Sequence, residues 1–227
     1  MHTNAESLVE HKDEIFYQIK KKRNPVVVAL SETRVDATIK DFEINIRGYS
    51  QVRCDAENGY TGGVVVYIRN DIKYETVMVH KITRNCCCVV LGLYEKWYKG
   101  TIVVLYHSSS APDGSFMKFI QDLIEDLVVK ETCIAIRDFN IDLRLDTFYS
   151  NKLKNVMSCL DLVFANLDLI ECVTVVENPK ITNHSWVEFK TSEDENYYKE
   201  VGRRAYKMMN IQNFVNELQR SVVDNWE

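Results

Sequence analysis

"CIAIRDFNID", Cys133 to Asp142, sets an apolar run directly against Arg137, Asp138 and Asn140. A run apolar at every position reads as a strand covered on both faces. Such a strand can carry charge only at its end, where the chain leaves the layers. The pattern recurs. "VVVAL" (Val26 to Leu30) runs on to Glu32, and "TIVVL" (Thr101 to Leu105) runs on to Tyr106 and His107. Asp161 opens "DLVF", and Asn183, His184 and Ser185 precede "WVEF". In layered α/β proteins, ligand sites form where strand ends and their loops converge. Polar clusters at so many strand ends point to one shared pocket.

The chain of 227 residues, 46% hydrophobic, has the length and composition of one large α/β domain or two small ones. It holds no run of about 18 apolar residues, which argues against a transmembrane helix. The polar, acidic start "MHTNAESLVEHKDEIF" is unlike a secretory signal, so an intracellular protein is expected. Seven cysteines do not read as a disulfide framework in a chain of this length. Without a C-x-x-C pair or histidines at finger spacing they read as small buried hydrophobes rather than zinc ligands. Cys86, Cys87 and Cys88, adjacent on a strand, should alternate between its faces. The net charge of −5 disfavours a surface built for non-specific nucleic-acid binding. It leaves room for a locally basic cleft around an acidic metal site. "KKKR", Lys20 to Arg23, reads either as a localisation signal or as cations complementing the carbonyl end of the preceding helix.

The periodicity predicts an amphipathic helix over residues 5–20, with Leu8, Ile15, Phe16 and Ile19 on one face, and then the strand "PVVVAL". "NGYTGG" (Asn58 to Gly63) is a turn opening the strand "VVVYIRND"; "CCCVVLGLYEK" and "TIVVLYH" are two more strands. "SFMKFIQDLIEDLVVK" is a second amphipathic helix, with Phe116, Phe119, Ile120, Leu123, Ile124 and Leu127 turned inward. A helix around Asn151 to Cys159, "LDLVFANL" and "SWVEFK" follow. Several neighbouring strands lack a helix between them, which favours a sandwich of mixed sheets flanked by helices. Two domains are expected: residues 1–190, and a charged linker with a C-terminal amphipathic helix over 191–227.

Phosphodiester hydrolysis suits such a pocket. Glu32 and Asp138 would hold a hard divalent cation through oxygen, as Mg2+ or Mn2+ prefers. His184, supported by Asp161, could orient or deprotonate a water. Asn140 and Tyr106 would donate hydrogen bonds to phosphate oxygens or the nucleophile. Each has a structural alternative as well: the carboxylates as caps, Tyr106 as a core residue with a bonded hydroxyl, His184 as a satisfied histidine.

The succession "VVVALSETR", "GGVVVYIR", "IVVLYHSSS", "CIAIRDFNID", "LDLVFAN", "ITNHSW" resembles the endonuclease/exonuclease/phosphatase superfamily, with its DNase I-like four-layered α/β sandwich. It is most similar to the apurinic-type endonuclease domain of non-LTR retrotransposons, and the resemblance runs from about Asn4 to Phe189. It implies that Asn4, in "NAESL", is the family's first active-site asparagine, although Asn4 also stands where a helix N-cap would. It implies that Glu32 binds the metal, that Tyr106 lies near the scissile phosphate, and that Asp138 and Asn140 are those of the G-D-F-N motif. Asp161 then pairs with the catalytic His184, and Asn183 stands in the D-H pair. The implied activity is Mg2+- or Mn2+-dependent nicking of DNA in the nucleus, with DNA as partner and no membrane.

Departures from the pattern point to an impaired copy. Arg137 replaces the glycine before the aspartate, and Asn183 replaces a carboxylate. The short span from Asn140 to Asp161 suggests an internal deletion. Met1 falls so close to Asn4 that no strand is expected to deliver that residue, leaving the sandwich incomplete. The alternative to an enzyme is a catalytically dead remnant that binds nucleic acid weakly.

Overall fold

The strand Cys86–Tyr94 is buried along almost its whole length, and its pleat shows how the molecule is layered. Cys87, Val89, Leu91 and Leu93 face one apolar cluster, whereas Cys86, Cys88 and Val90 face another. The alternation expected of the cysteines therefore holds, and all three are fully buried and outside any disulfide. The computed structural model describes residues 1–83, 86–108, 111–128, 133–138, 147–149, 151–152, 170–176 and 186–191. The chain divides into two units, Met1–Glu193 and Asp194–Glu227, and every described residue belongs to the first.

The described strands are β1 (His2–Asn4), β2 (Val27–Ser31), β3 (Tyr49–Cys54), β4 (Val64–Arg69), β5 (Tyr74–Thr83), β6 (Cys86–Tyr94), β7 (Lys99–His107), β8 (Cys133–Asp138), β9 (Ile170–Val176) and β10 (Trp186–Thr191). The helices are α1 (Lys12–Lys21) and α2 (Asp113–Val128). One mixed sheet has the order β3-β4-β2-β1-β10-β9 and the other β5-β6-β7-β8. Between the sheets lie Val27 and Ala29 of β2, Val64, Val66 and Ile68 of β4, and the inward residues of β6 and β7. Outside the first sheet, Ile15 and Ile19 of α1 pack on Val28, Leu30, Val65 and Tyr67. Outside the second, Phe116, Met117, Ile120 and Leu123 of α2 cover Val90, Val103 and Leu105. The layering is helix, sheet, sheet, helix, as expected from a sequence in which strands follow one another without intervening helices. No described helix is long and apolar enough to cross a membrane.

Two expectations are corrected. A strand does deliver Asn4: the short β1 pairs parallel with β2 (Asn4 with Ser31) and antiparallel with β10 (His2 with Val187). It is a central strand, held by both neighbours, and three residues suffice because those neighbours supply the hydrogen bonds. The first helix begins only at Lys12, with His11 as N-cap. Leu8 is buried in the segment before it, where the Leu8 N–H bonds the Thr33 carbonyl at 2.8 Å. Asn4 is therefore not a helix cap. The helix expected beyond Lys152, the strand "LDLVFANL", the proposed deletion and the C-terminal helix lie outside the described residues.

Candidate active site

Parallel pairing brings the ends of β1 and β2 together, Asn4 beside Ser31. The chain then turns away from β2 sharply: Glu32 and Arg34 both adopt left-handed backbone angles, φ 49° and 55°. Neither is a glycine, so this turn is held against local preference. Backbone bonds on both sides hold it. Ala5 N–H reaches the Ser31 carbonyl (2.8 Å), Thr33 N–H the Gly63 carbonyl (3.2 Å), Arg34 N–H the Gly62 carbonyl (2.9 Å), and Ala56 N–H the Val35 carbonyl (2.8 Å). Gly63 (φ 84°) comes so near that a Cβ there would lie 2.6 Å from Thr33 Oγ1. This approach is what "NGYTGG" provides.

On this clamped turn the Asn4 amide Nδ2 donates to Glu32 Oε2 at 2.9 Å. Asn4 Oδ1 accepts from the Glu6 backbone N–H at 2.9 Å, which fixes the direction of the amide. The other Glu32 oxygen, Oε1, lies 3.5 Å from Arg34 Nη2. The Glu32 side chain is 19% exposed, so a carboxylate oriented by an amide still meets solvent. Such an oxygen suits a hard divalent cation. Among the described residues no three His, Cys, Asp or Glu side chains gather as a ligand set; Glu32 offers one carboxylate that could serve.

The second sheet brings Tyr106 and Asp138 to the same end of the sandwich. A continuous path of partners shows this. Ser31 pairs with Val64 and Val64 with Cys54; the Cys54 carbonyl accepts from the Cys87 thiol at 3.6 Å; Cys87 pairs with Tyr106 and Tyr106 with Asp138. Strand β2 also contacts β7 directly across the interior. Tyr106 is 2% exposed and closes the inter-sheet core at this end. Arg137 is in register with Leu105, a residue of the cluster under α2. Strand β10 runs antiparallel to β1 and starts at Trp186, so the chain enters it from the end where Asn4 leaves β1. Asn140, Asp161, Asn183 and His184 lie outside the described residues.

The sequence points to Asn4, Glu32, Tyr106 and Asp138, and does not single out Arg34, which the structure places beside Glu32. The residue stands in "SETR", but its closeness to Glu32 depends on two left-handed residues in near succession, which no glycine or asparagine announces. The Cys54 thiol beside it, and then burial, push the Cys87 thiol up from its ordinary value.

Solved structures share this arrangement of layers. The endonuclease domain of TRAS1, a telomere-specific non-LTR retrotransposon, matches with a TM-score of 0.60 at 16% identity, over 84% of this chain and 97% of that one. The 3′-5′ exonuclease NExo from Neisseria meningitidis matches with a TM-score of 0.55 at 12% identity, over 83% and 99%. A Neisseria 3′ phosphatase NExo bound to a product DNA hairpin matches with a TM-score of 0.56 at 11% identity, over 84% and 98%. No protein-family model matches the chain, and no curated protein matches it in sequence. At these identities the likeness is one of fold, and it spans nearly the whole of each solved chain. The fold of this chain is thus a DNase I-like four-layered α/β sandwich, the fold of these solved nuclease structures.

Proposed function

We propose that this domain is a DNA endonuclease that hydrolyses one phosphodiester bond of a duplex with the help of Mg2+ or Mn2+. The observation that carries the reading is the Asn4-to-Glu32 hydrogen bond, at the end of the sandwich where Tyr106 and Asp138 pair. A carboxylate, an orienting amide and a phenol, from the ends of β2, β1 and β7, share that end, and the structures of like fold include nucleases and a phosphatase bound to DNA.

In this reading Glu32 and Asp138 hold the cation, which when bound supplies positive charge against the phosphate oxygens. Asn4 keeps one Glu32 oxygen turned toward it. His184, supported by Asp161, takes a proton from water as the oxygen attacks phosphorus. The bond from phosphorus to the 3′ oxygen breaks, and that oxygen gains a proton, leaving a 3′ hydroxyl and a 5′ phosphate. Asn140 and Tyr106 donate to the oxygens that gain charge. Asn183 withdraws an anionic neighbour from His184, and Arg137 places a cation one residue from Asp138. Together these make the activity slow, with a loss of roughly 10²- to 10⁴-fold for one missing acid-base partner.

Supercoiled plasmid incubated with the protein and Mg2+, beside an Asp138→Ala variant, tests the reading. Nicked circles from the wild type alone support it. Equal nicking by both proteins, or by neither, removes the catalytic claim and leaves a nucleic-acid-binding remnant to be tested by binding in EDTA.

A further inference from the structure

Arginine is a donor-only side chain whose guanidinium carries five N–H groups, and the arginines of this domain differ in how those groups are used. Arg53 makes five hydrogen bonds: two to Asp55, one to Asp41, and one each to the Ile39 and Asp36 carbonyls. Arg69 makes three, to Asp71 twice and to the Asn24 carbonyl. Both have structural work that accounts for them. Arg34 does not. Its contact among the described residues is the 3.5 Å approach of Nη2 to Glu32 Oε1, longer than a charge-assisted hydrogen bond. Its Nε is buried and has no hydrogen-bond partner among those residues. Its side chain is 32% exposed, so the fork is seated at the base and open at the tip.

A buried donor without a partner in a folded protein calls for an explanation, and an absent ligand is one. The backbone adds to this. Arg34 stands at φ 55°, a conformation that glycine or asparagine would accept more readily. The turn is nonetheless clamped in it by backbone bonds from both flanks. Strain of this kind collects where a side chain must be aimed.

We propose that Arg34 is a phosphate-binding residue: its guanidinium grips a non-bridging oxygen of the substrate's phosphodiester and holds the phosphorus beside Glu32. The assignment rests on the nuclease reading for the identity of that phosphate. In the free protein the same guanidinium partly offsets the Glu32 charge. Planar, bidentate phosphate recognition is what arginine does and lysine does not reproduce.

The test measures binding without turnover. A fluorescein-labelled duplex is titrated in EDTA at several salt concentrations against the wild type, Arg34→Gln, Arg34→Lys and Arg34→Gly. Lys21→Gln, at the exposed end of α1, is the control. Inorganic phosphate is titrated in parallel, followed by its effect on the melting temperature. Arg34→Gln should weaken duplex binding roughly tenfold or more at low salt and reduce the slope of log affinity against log salt by about 0.9, the loss of one phosphate contact. Arg34→Lys should restore the slope but only part of the affinity. Arg34→Gly should bind as poorly as Arg34→Gln while melting no lower than the wild type, since glycine accepts the left-handed turn; a purely structural Arg34 would lower it.

Unchanged slope and affinity in Arg34→Gln, with the wild type binding DNA, overturn the assignment and leave the nuclease reading standing. A wild type that binds phosphate but no DNA, with phosphate binding lost in Arg34→Gln, keeps the phosphate role and ends the nuclease reading. A wild type that binds neither ends both.

Discussion

Gly63→Ala is the perturbation whose effect follows most directly from the geometry of the clamped turn. Two terms add. An alanine at φ 84° loses about 1–2 kcal/mol to the left-handed backbone. The new Cβ, 2.6 Å from Thr33 Oγ1, adds an overlap that costs about 1–3 kcal/mol to relax. The smaller entropy of the unfolded alanine chain returns roughly 0.4–1 kcal/mol, so the net loss should be about 2–4 kcal/mol. Thr33→Ala separates the terms. Thr33 Oγ1 is buried without a hydrogen-bond partner among the described residues, so its removal alone should lie within about 1 kcal/mol of neutral. In the Thr33→Ala background only the backbone cost and the entropy return remain, so Gly63→Ala should cost about 0–1.5 kcal/mol. Urea unfolding of the four proteins, followed by tryptophan fluorescence, closes the cycle and gives the coupling energy. Equal losses for Gly63→Ala in both backgrounds would refute the reasoning, because the overlap with Thr33 would then play no part.

Three further outcomes are expected. Asn4→Ala frees a Glu32 oxygen and leaves the Glu6 N–H without its acceptor; Mn2+ affinity measured by calorimetry should fall about 10- to 100-fold, the usual effect of losing a group that orients a ligand. The Tyr49 hydroxyl donates to the Pro25 carbonyl at 2.7 Å, and burial raises its pKa to about 12. A raised folded-state value means that its contribution is complete below pH 10 and is lost as pH rises toward 12; the stability of Tyr49→Phe should decline less steeply over that window in alkaline urea titrations. Leu91, fully buried between the sheets, should lose about 2–5 kcal/mol on change to alanine, which a shift in the urea midpoint would report.

The strands that could be read from residues alone were those whose apolar runs are unbroken. β2, β6, β7 and β8 are continuous apolar runs, and β4 follows the "NGYTGG" turn. Strands β3, "YSQVRC", and β5, "YETVMVHKIT", stand at sheet edges; with one face and one edge open they carry polar residues that mask the pattern. β1 was hidden by its length, because its three residues are a strand only through β2 and β10. Helix α2 was legible from its apolar stripe. The first helix was read too long because Leu8 is as apolar as Ile15 and Ile19, although it is buried by a loop rather than by a turn of helix. Within the site, Glu32 and Tyr106 announced themselves as polar residues at the ends of apolar runs. Arg34 could not, since what marks it is backbone geometry and an unpartnered Nε.

Paramagnetic relaxation by Mn2+ tests the central claim most directly: that these strand ends form one cation-binding phosphodiester site. The readouts are the Asn4 side-chain amide and the backbone amides of Glu32, Arg34 and Asp138 in the NMR spectrum. Substoichiometric Mn2+ should broaden these first and together, and Glu32→Gln should abolish the effect. Broadening centred instead on Asp36, Asp41 and Asp55, or broadening that survives Glu32→Gln, would contradict the account.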